Sequence, residues 1–69
     1  MRDIKRIKMF CDELATIWEK QVPDWRFGQL MCNVFGEMAN EGRDPFFPEE
    51  KEMISYFKKF FNIVDGENE

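Results

Sequence analysis

Apolar positions recur along this chain at steps of three and four residues, in three separate stretches. In the first, Ile4, Ile7, Cys11, Leu14 and Trp18 alternate those steps, and Phe10, Ala15 and Ile17 widen the stripe. This predicts an amphipathic helix over residues 4–20, with Asp3 as its N-cap. Its opposite face carries Lys5, Met9, Asp12, Glu13, Thr16 and Lys20. In the second stretch Phe27, Leu30, Met31, Val34, Phe35 and Met38 form the apolar face. Pro23 ends the first helix by Val22, and Asp24 is placed to cap a second helix that reaches about Ala39. The third stretch places Met53, Ile54, Phe57, Phe60, Phe61 and Val64 on one stripe, flanked by Tyr56 and Ile63. Pro48 suits the first position of that helix, with Glu49 and Glu50 in the first turn and Lys58 and Lys59 near its end.

The fold expected is therefore all-α, a small three-helix bundle in one domain over residues 1–64. Residues 65–69 are expected to fray as an acidic tail. The stretch Pro23-Asp24-Trp25-Arg26-Phe27-Gly28-Gln29-Leu30 is the centre of this reading, with the other two helices packed around the one it opens. Leu14, Leu30, Phe57 and Phe61 are expected in the core.

Glycines and prolines refine the picture. Gly28 lies inside a helical pattern, where Gly costs about 1 kcal/mol relative to Ala. A neighbouring backbone or ring passing close by would explain it. Gly28, Cys32 and Gly36 are spaced by four and form a strip of small residues, suited to close approach by another helix or to self-association. Gly42 is placed for the left-handed residue after a helix end. In Arg43-Asp44-Pro45-Phe46-Phe47-Pro48 two prolines bracket two phenylalanines. That predicts an extended, stiff connection with one ring in and one partly out.

A chain of 69 residues buries only roughly 60% of its unfolded surface. Eight Phe, two Trp and one Tyr exceed what a minimal core needs, so some rings should be exposed and available to a partner. The formal charge is −4, with a basic start (Arg2, Lys5, Arg6, Lys8) and an acidic end (Asp65, Glu67, Glu69). An acidic chain lacks the electrostatic footprint of a general nucleic-acid binder. A helix-turn-helix is also disfavoured: the link before the third helix is long, and Glu49, Glu50 and Glu52 would face phosphates. No segment is long enough to cross a membrane, and no signal peptide is visible. Cys11 and Cys32 are expected as buried, reduced thiols in a bacterial or host-cell cytoplasm.

The chemistry available is sparse. There is no histidine, one serine (Ser55) and one threonine (Thr16). No nucleophile has a His base, no zinc set can be completed, and no phosphate-binding Gly loop follows a strand. No catalytic residue, metal or cofactor is expected. The candidate partner-binding residues are Trp25 and Arg26 with Phe46 and Phe47, since Trp and Arg are common hot spots and the prolines preorganise the connection. The competing role for Trp25 is to cap the core.

Ile17-Trp18, Pro23-Asp24-Trp25-Arg26-Phe27-Gly28-Gln29-Leu30 and Asp44-Pro45-Phe46-Phe47 together give a pattern that resembles small uncharacterised proteins of Gram-positive bacteria and their phages. Those proteins have a Trp, a Pro-Asp-x-Arg-x-Gly-Gln-Leu stretch and a later Asp-Pro-Phe. The resemblance implies a prokaryotic or mobile-element context and brings no catalytic residues. It suggests that Arg26, Gln29 and Asp44 act together, and a bidentate Arg26–Asp44 ion pair would tie the second helix to the connection. The function expected is a non-catalytic protein-binding module. In the phage-like context it would be an antagonist of a nucleic-acid-binding host protein such as a CRISPR effector nuclease, in the manner of an anti-CRISPR inhibitor. The alternative is a structural protein that self-associates.

Overall fold

The computed structural model describes residues 2–64, and the acidic tail expected at residues 65–69 lies outside them. The described residues form three helices: α1 (Lys5–Gln21), α2 (Phe27–Asn40) and α3 (Glu50–Phe60). The all-α bundle read from the sequence is the fold. No helix among the described residues is long and apolar enough to cross a membrane.

Local hydrogen bonds explain the boundaries. The N-cap of α1 is Ile4 rather than the expected Asp3, although the Asp3 carboxylate accepts from the Lys5 N–H at 3.0 Å. Asp24 does not cap α2. Pro23 and Asp24 are the two central residues of a turn closed by the Trp25 N–H on the Val22 carbonyl at 3.0 Å. The helix begins later, with Arg26 in extended backbone at the N-cap. Gln29 folds back so that its Oε1 accepts from the Arg26 N–H at 2.8 Å, which satisfies one donor of the first turn. Pro48 likewise lies before α3 rather than in it, because the N-cap is Glu49.

Two helix ends close with the same motif. Gly42 has φ +76°, and the Arg43 N–H donates to the Met38 carbonyl at 2.8 Å. Asn62 has φ 59°, and the Ile63 N–H donates to the Lys58 carbonyl at 2.8 Å. Gly adopts that backbone freely, and Asn is among the few other residues that tolerate it.

The organising helix is α3, not α2. Arg2 Nε and Nη2 donate to the two Glu49 carboxylate oxygens at 3.0 and 2.8 Å, and Arg6 Nε donates to Glu50 at 2.9 Å. These contacts join the starts of α1 and α3, so the two helices run in the same direction. Segments flanking α2 reach the last turns of α3 from both sides. Trp25 meets Phe60 and Phe61, and Glu41 pairs with Lys59 at 2.9 Å. The helix α2 therefore lies across the C-terminal half of α3.

Ile17, Leu30, Val34, Met38, Ile54 and Phe57 are buried. Leu14 and Phe61, expected inside, pack against this core while staying partly exposed. The helix α1 is turned from its expected orientation. Its inward residues are Phe10, Leu14, Ile17 and Trp18, whereas Ile4, Ile7, Cys11 and Ala15 face solvent. Val64, also placed on an apolar stripe, is exposed.

Candidate functional site

Phe46 and Phe47 stand on the connection between α2 and α3. The expectation of one ring in and one out is corrected: both are out, 83% and 74% exposed. Nor is the connection extended. The Phe47 N–H approaches the Asp44 carbonyl at 3.4 Å, and the Phe46 N–H donates to Asp44 Oδ1 at 2.9 Å. Asp at the first position and Pro at the second are the residues a β-turn favours, and the carboxylate braces it from within. The two rings meet edge to face, with centroids 5.0 Å apart. Among the described residues neither ring makes a ring contact except with the other.

The Asp44 carboxylate is thus used locally. Among the described residues no ion pair joins it to Arg26, so the expected Arg26–Asp44 tie is not formed. Arg26 itself is exposed, at the N-cap of α2.

Trp25 serves the interior. It is half-buried, with ring centroids 6.5 Å from Phe60 and 6.2 Å from Phe61, and its carbonyl accepts from Trp18 Nε1–H at 3.0 Å. No ring contact links it to Phe46 or Phe47, which precede α3 while Trp25 lies on its last turn. The four candidate residues therefore make two places, not one.

No other helix of the domain packs on the small strip of α2. An added Cβ at Gly28 or Gly36 would meet nothing within 4 Å, so no helix or ring approaches there. Both cysteines are free, as expected, but exposed rather than buried.

Sequence reasoning missed a groove of about 770 Å³ between α1 and α3. Met9, Phe10 and Ile54 give it an apolar floor, and Arg6, Glu13 and Glu50 are among the charges at its rim. Met9, read as a lone apolar residue on a polar face, was its one sequence signal. No group of three or more His, Cys, Asp or Glu that could hold a metal occurs among the described residues.

Fold and site together define a small three-helix domain with outward-facing aromatic and aliphatic patches. No family model, curated protein or solved structure matches the chain.

Proposed function

We propose that this chain is a non-catalytic protein-binding module whose anchor is the Phe46–Phe47 turn. The observation that carries the reading is the exposure of both rings on a turn braced by Asp44 and bracketed by Pro45 and Pro48. Two large apolar rings held in water gain the full hydrophobic benefit when a partner covers them. Because the turn is already shaped, little ordering opposes that gain. Aromatic residues are enriched in the cores of protein interfaces for these reasons.

A narrower version follows from the net charge of −4 and from the resemblance to phage proteins. The partner would be a nucleic-acid-binding host protein in the cytoplasm, a CRISPR effector nuclease among the options, and the chain its antagonist. An acidic surface complements a basic nucleic-acid channel and speeds encounter with it.

The test is a comparison of wild type with Phe46→Ala/Phe47→Ala, made on the intact chain. The double variant is expected to keep its melting temperature and to lose the partners that wild type retains on a column. Identical partner sets for the two proteins would sink the reading. Inhibition of a candidate nuclease, relieved by added salt, would test the narrower version.

A further inference from the structure

The groove between α1 and α3 is walled by residues of those two helices and of the α3 N-cap. Its apolar floor has one outward member: Met9 is 61% exposed, whereas Phe10 is half-buried and Ile54 is buried. The charges around that floor are ordered. On the α1 wall Arg6 stands one turn before Met9 and Phe10, and Glu13 one turn after them. On the α3 wall the order is reversed: Glu50 stands one turn before Ile54, and Lys58 one turn after it. Arg6 and Glu50 are joined at 2.9 Å, so the two walls are level at that end. An equal rise per residue then brings Met9 and Phe10 level with Ile54, and Glu13 close to the level of Lys58. Asp12 adds to the charge of Glu13, and at the start of α3 Glu49 and Lys51 offset each other.

The four corners of the groove therefore alternate in sign. A half-turn about a line across both helices, between Met9 and Phe10 and through Ile54, exchanges positive corners with negative ones. Arg6 and Glu13 lie equally far from that line on α1, and Glu50 and Lys58 equally far from it on α3. The face is thus electrostatically complementary to itself. A partner of a single charge would meet like charge at two corners, which opposes docking. Antiparallel stacking also sets the helix dipoles of the two copies head to tail. Arg6 keeps its bond to Glu50 in this arrangement, because a guanidinium has five N–H donors.

We propose that the α1–α3 groove binds the same groove of a second copy of the chain, antiparallel, about a two-fold axis at the level of Met9, Phe10 and Ile54. The contact is isologous, so the assembly closes as a dimer. The α1 and α3 helices of the two copies then form a four-helix layer with the apolar floors at its centre. Met9 of each copy covers the floor of the other, and its flexible thioether suits an irregular gap. Arg6 of one copy meets Glu13 of the other, and Glu50 meets Lys58. Phe46 and Phe47 lie outside the groove lining, so the dimer does not depend on the role given to that turn.

Sedimentation velocity of the intact chain over a range of concentrations is the test. The expected mass rises toward twice the 8.4 kDa of one chain and falls again as salt screens the corners. Met9→Glu, at an exposed position, should raise the dissociation constant more than about tenfold, the equivalent of 1.4 kcal/mol, with helicity by circular dichroism unchanged. Glu13→Arg should weaken the dimer, because it faces Arg6 of the other copy, and Glu13→Arg combined with Arg6→Glu should restore it. Phe46→Ala/Phe47→Ala should leave the mass unchanged. A single-chain mass at every concentration overturns the proposal. So does a dimer that survives Met9→Glu, or one lost in the Phe46→Ala/Phe47→Ala variant, which would place the contact on the turn. A dimer that the double charge exchange weakens further overturns it as well, since Arg6 and Glu13 would then face α3 of a parallel copy.

Discussion

Trp25 and the Phe46–Phe47 pair both sit on proline-containing connections, and they face opposite ways. The turn from Val22 to Trp25 returns the chain to α1, where Trp18 donates to the Trp25 carbonyl. That bond aims the indole at Phe60 and Phe61, which already form an edge-to-face pair 4.9 Å apart. Among the described residues, the hydrogen bonds within the turn from Asp44 to Phe47 are accepted by its own Asp44. Among the described residues no hydrogen bond from the turn reaches back to a helix, and its rings are exposed. A turn's local hydrogen bonds set its form. Whether its aromatics go inside depends on a bond back to a helix, such as the one from Trp18, that sequence spacing does not reveal.

Substitutions can break this comparison. The largest effect is expected at the inner reference point: Phe57, fully buried, should lose roughly 3–5 kcal/mol on change to Ala. That approaches the whole stability of a domain this small. A loss under about 1 kcal/mol in urea melts would show that α3 is not the helix the others pack on. Trp25→Ala should cost about 2 kcal/mol, less than full burial because one side is wet. Phe46→Ala and Phe47→Ala should each stay within about 0.5 kcal/mol, the range of surface changes. If the Phe variants proved more damaging than Trp25→Ala, the inside and outside assignments would have to be exchanged.

A smaller effect separates open space from packing. Gly28 has nothing near its missing Cβ, so Gly28→Ala should stabilise α2 by about 0.5–1 kcal/mol. Destabilisation in thermal melts would mean that something does approach there. The smallest effect concerns the start of α3. The hydrogen bond from Arg2, and then its charge, lower the Glu49 pKa below the usual value and raise that of Arg2. Glu49's folded value lies below its unfolded one. Its contribution is therefore full above the unfolded value and is lost as pH falls through the folded one. Melts from neutral pH to about pH 3, spanning the carboxylate range, should show a slightly smaller drop in Arg2→Ala than in wild type. An equal drop would remove Arg2 as the cause.

What was legible follows the same division. The three helices stood out because each carries its own 3.6-residue period. Leu30 and Phe57 lie at the centre of their stripes and are buried in the structure. Gly42 has the left-handed backbone expected of it. The orientation of α1 was not legible, because Ile4–Ile7–Cys11 and Phe10–Leu14–Ile17 are both apolar edges of one broad stripe. Periodicity finds such a stripe without saying which edge α3 will take. Asp24 illustrates a different ambiguity: the same residue suits an N-cap and the third place of a turn, and Pro23 beside it favoured the turn. The outward Phe pair could not be distinguished from core aromatics by composition, since burial depends on where the connection lies.

The shared direction of α1 and α3 has a kinetic consequence. Two adjacent helices joined by a short loop run antiparallel and can zip together locally. Here the partners that run side by side are first and third in the chain, and the Arg2–Glu49 contact spans 47 positions. Docking α3 onto α1 therefore closes a loop that contains all of α2. The entropy of that closure falls on the step that forms the core. Folding should then be slower than for a helical hairpin bundle of equal length, whose contacts are mostly local. A nascent chain that has emerged only through α2 lacks the helix on which both earlier ones rest. Its Ile17, Leu30 and Val34 stay without their shared cover until Phe57 arrives.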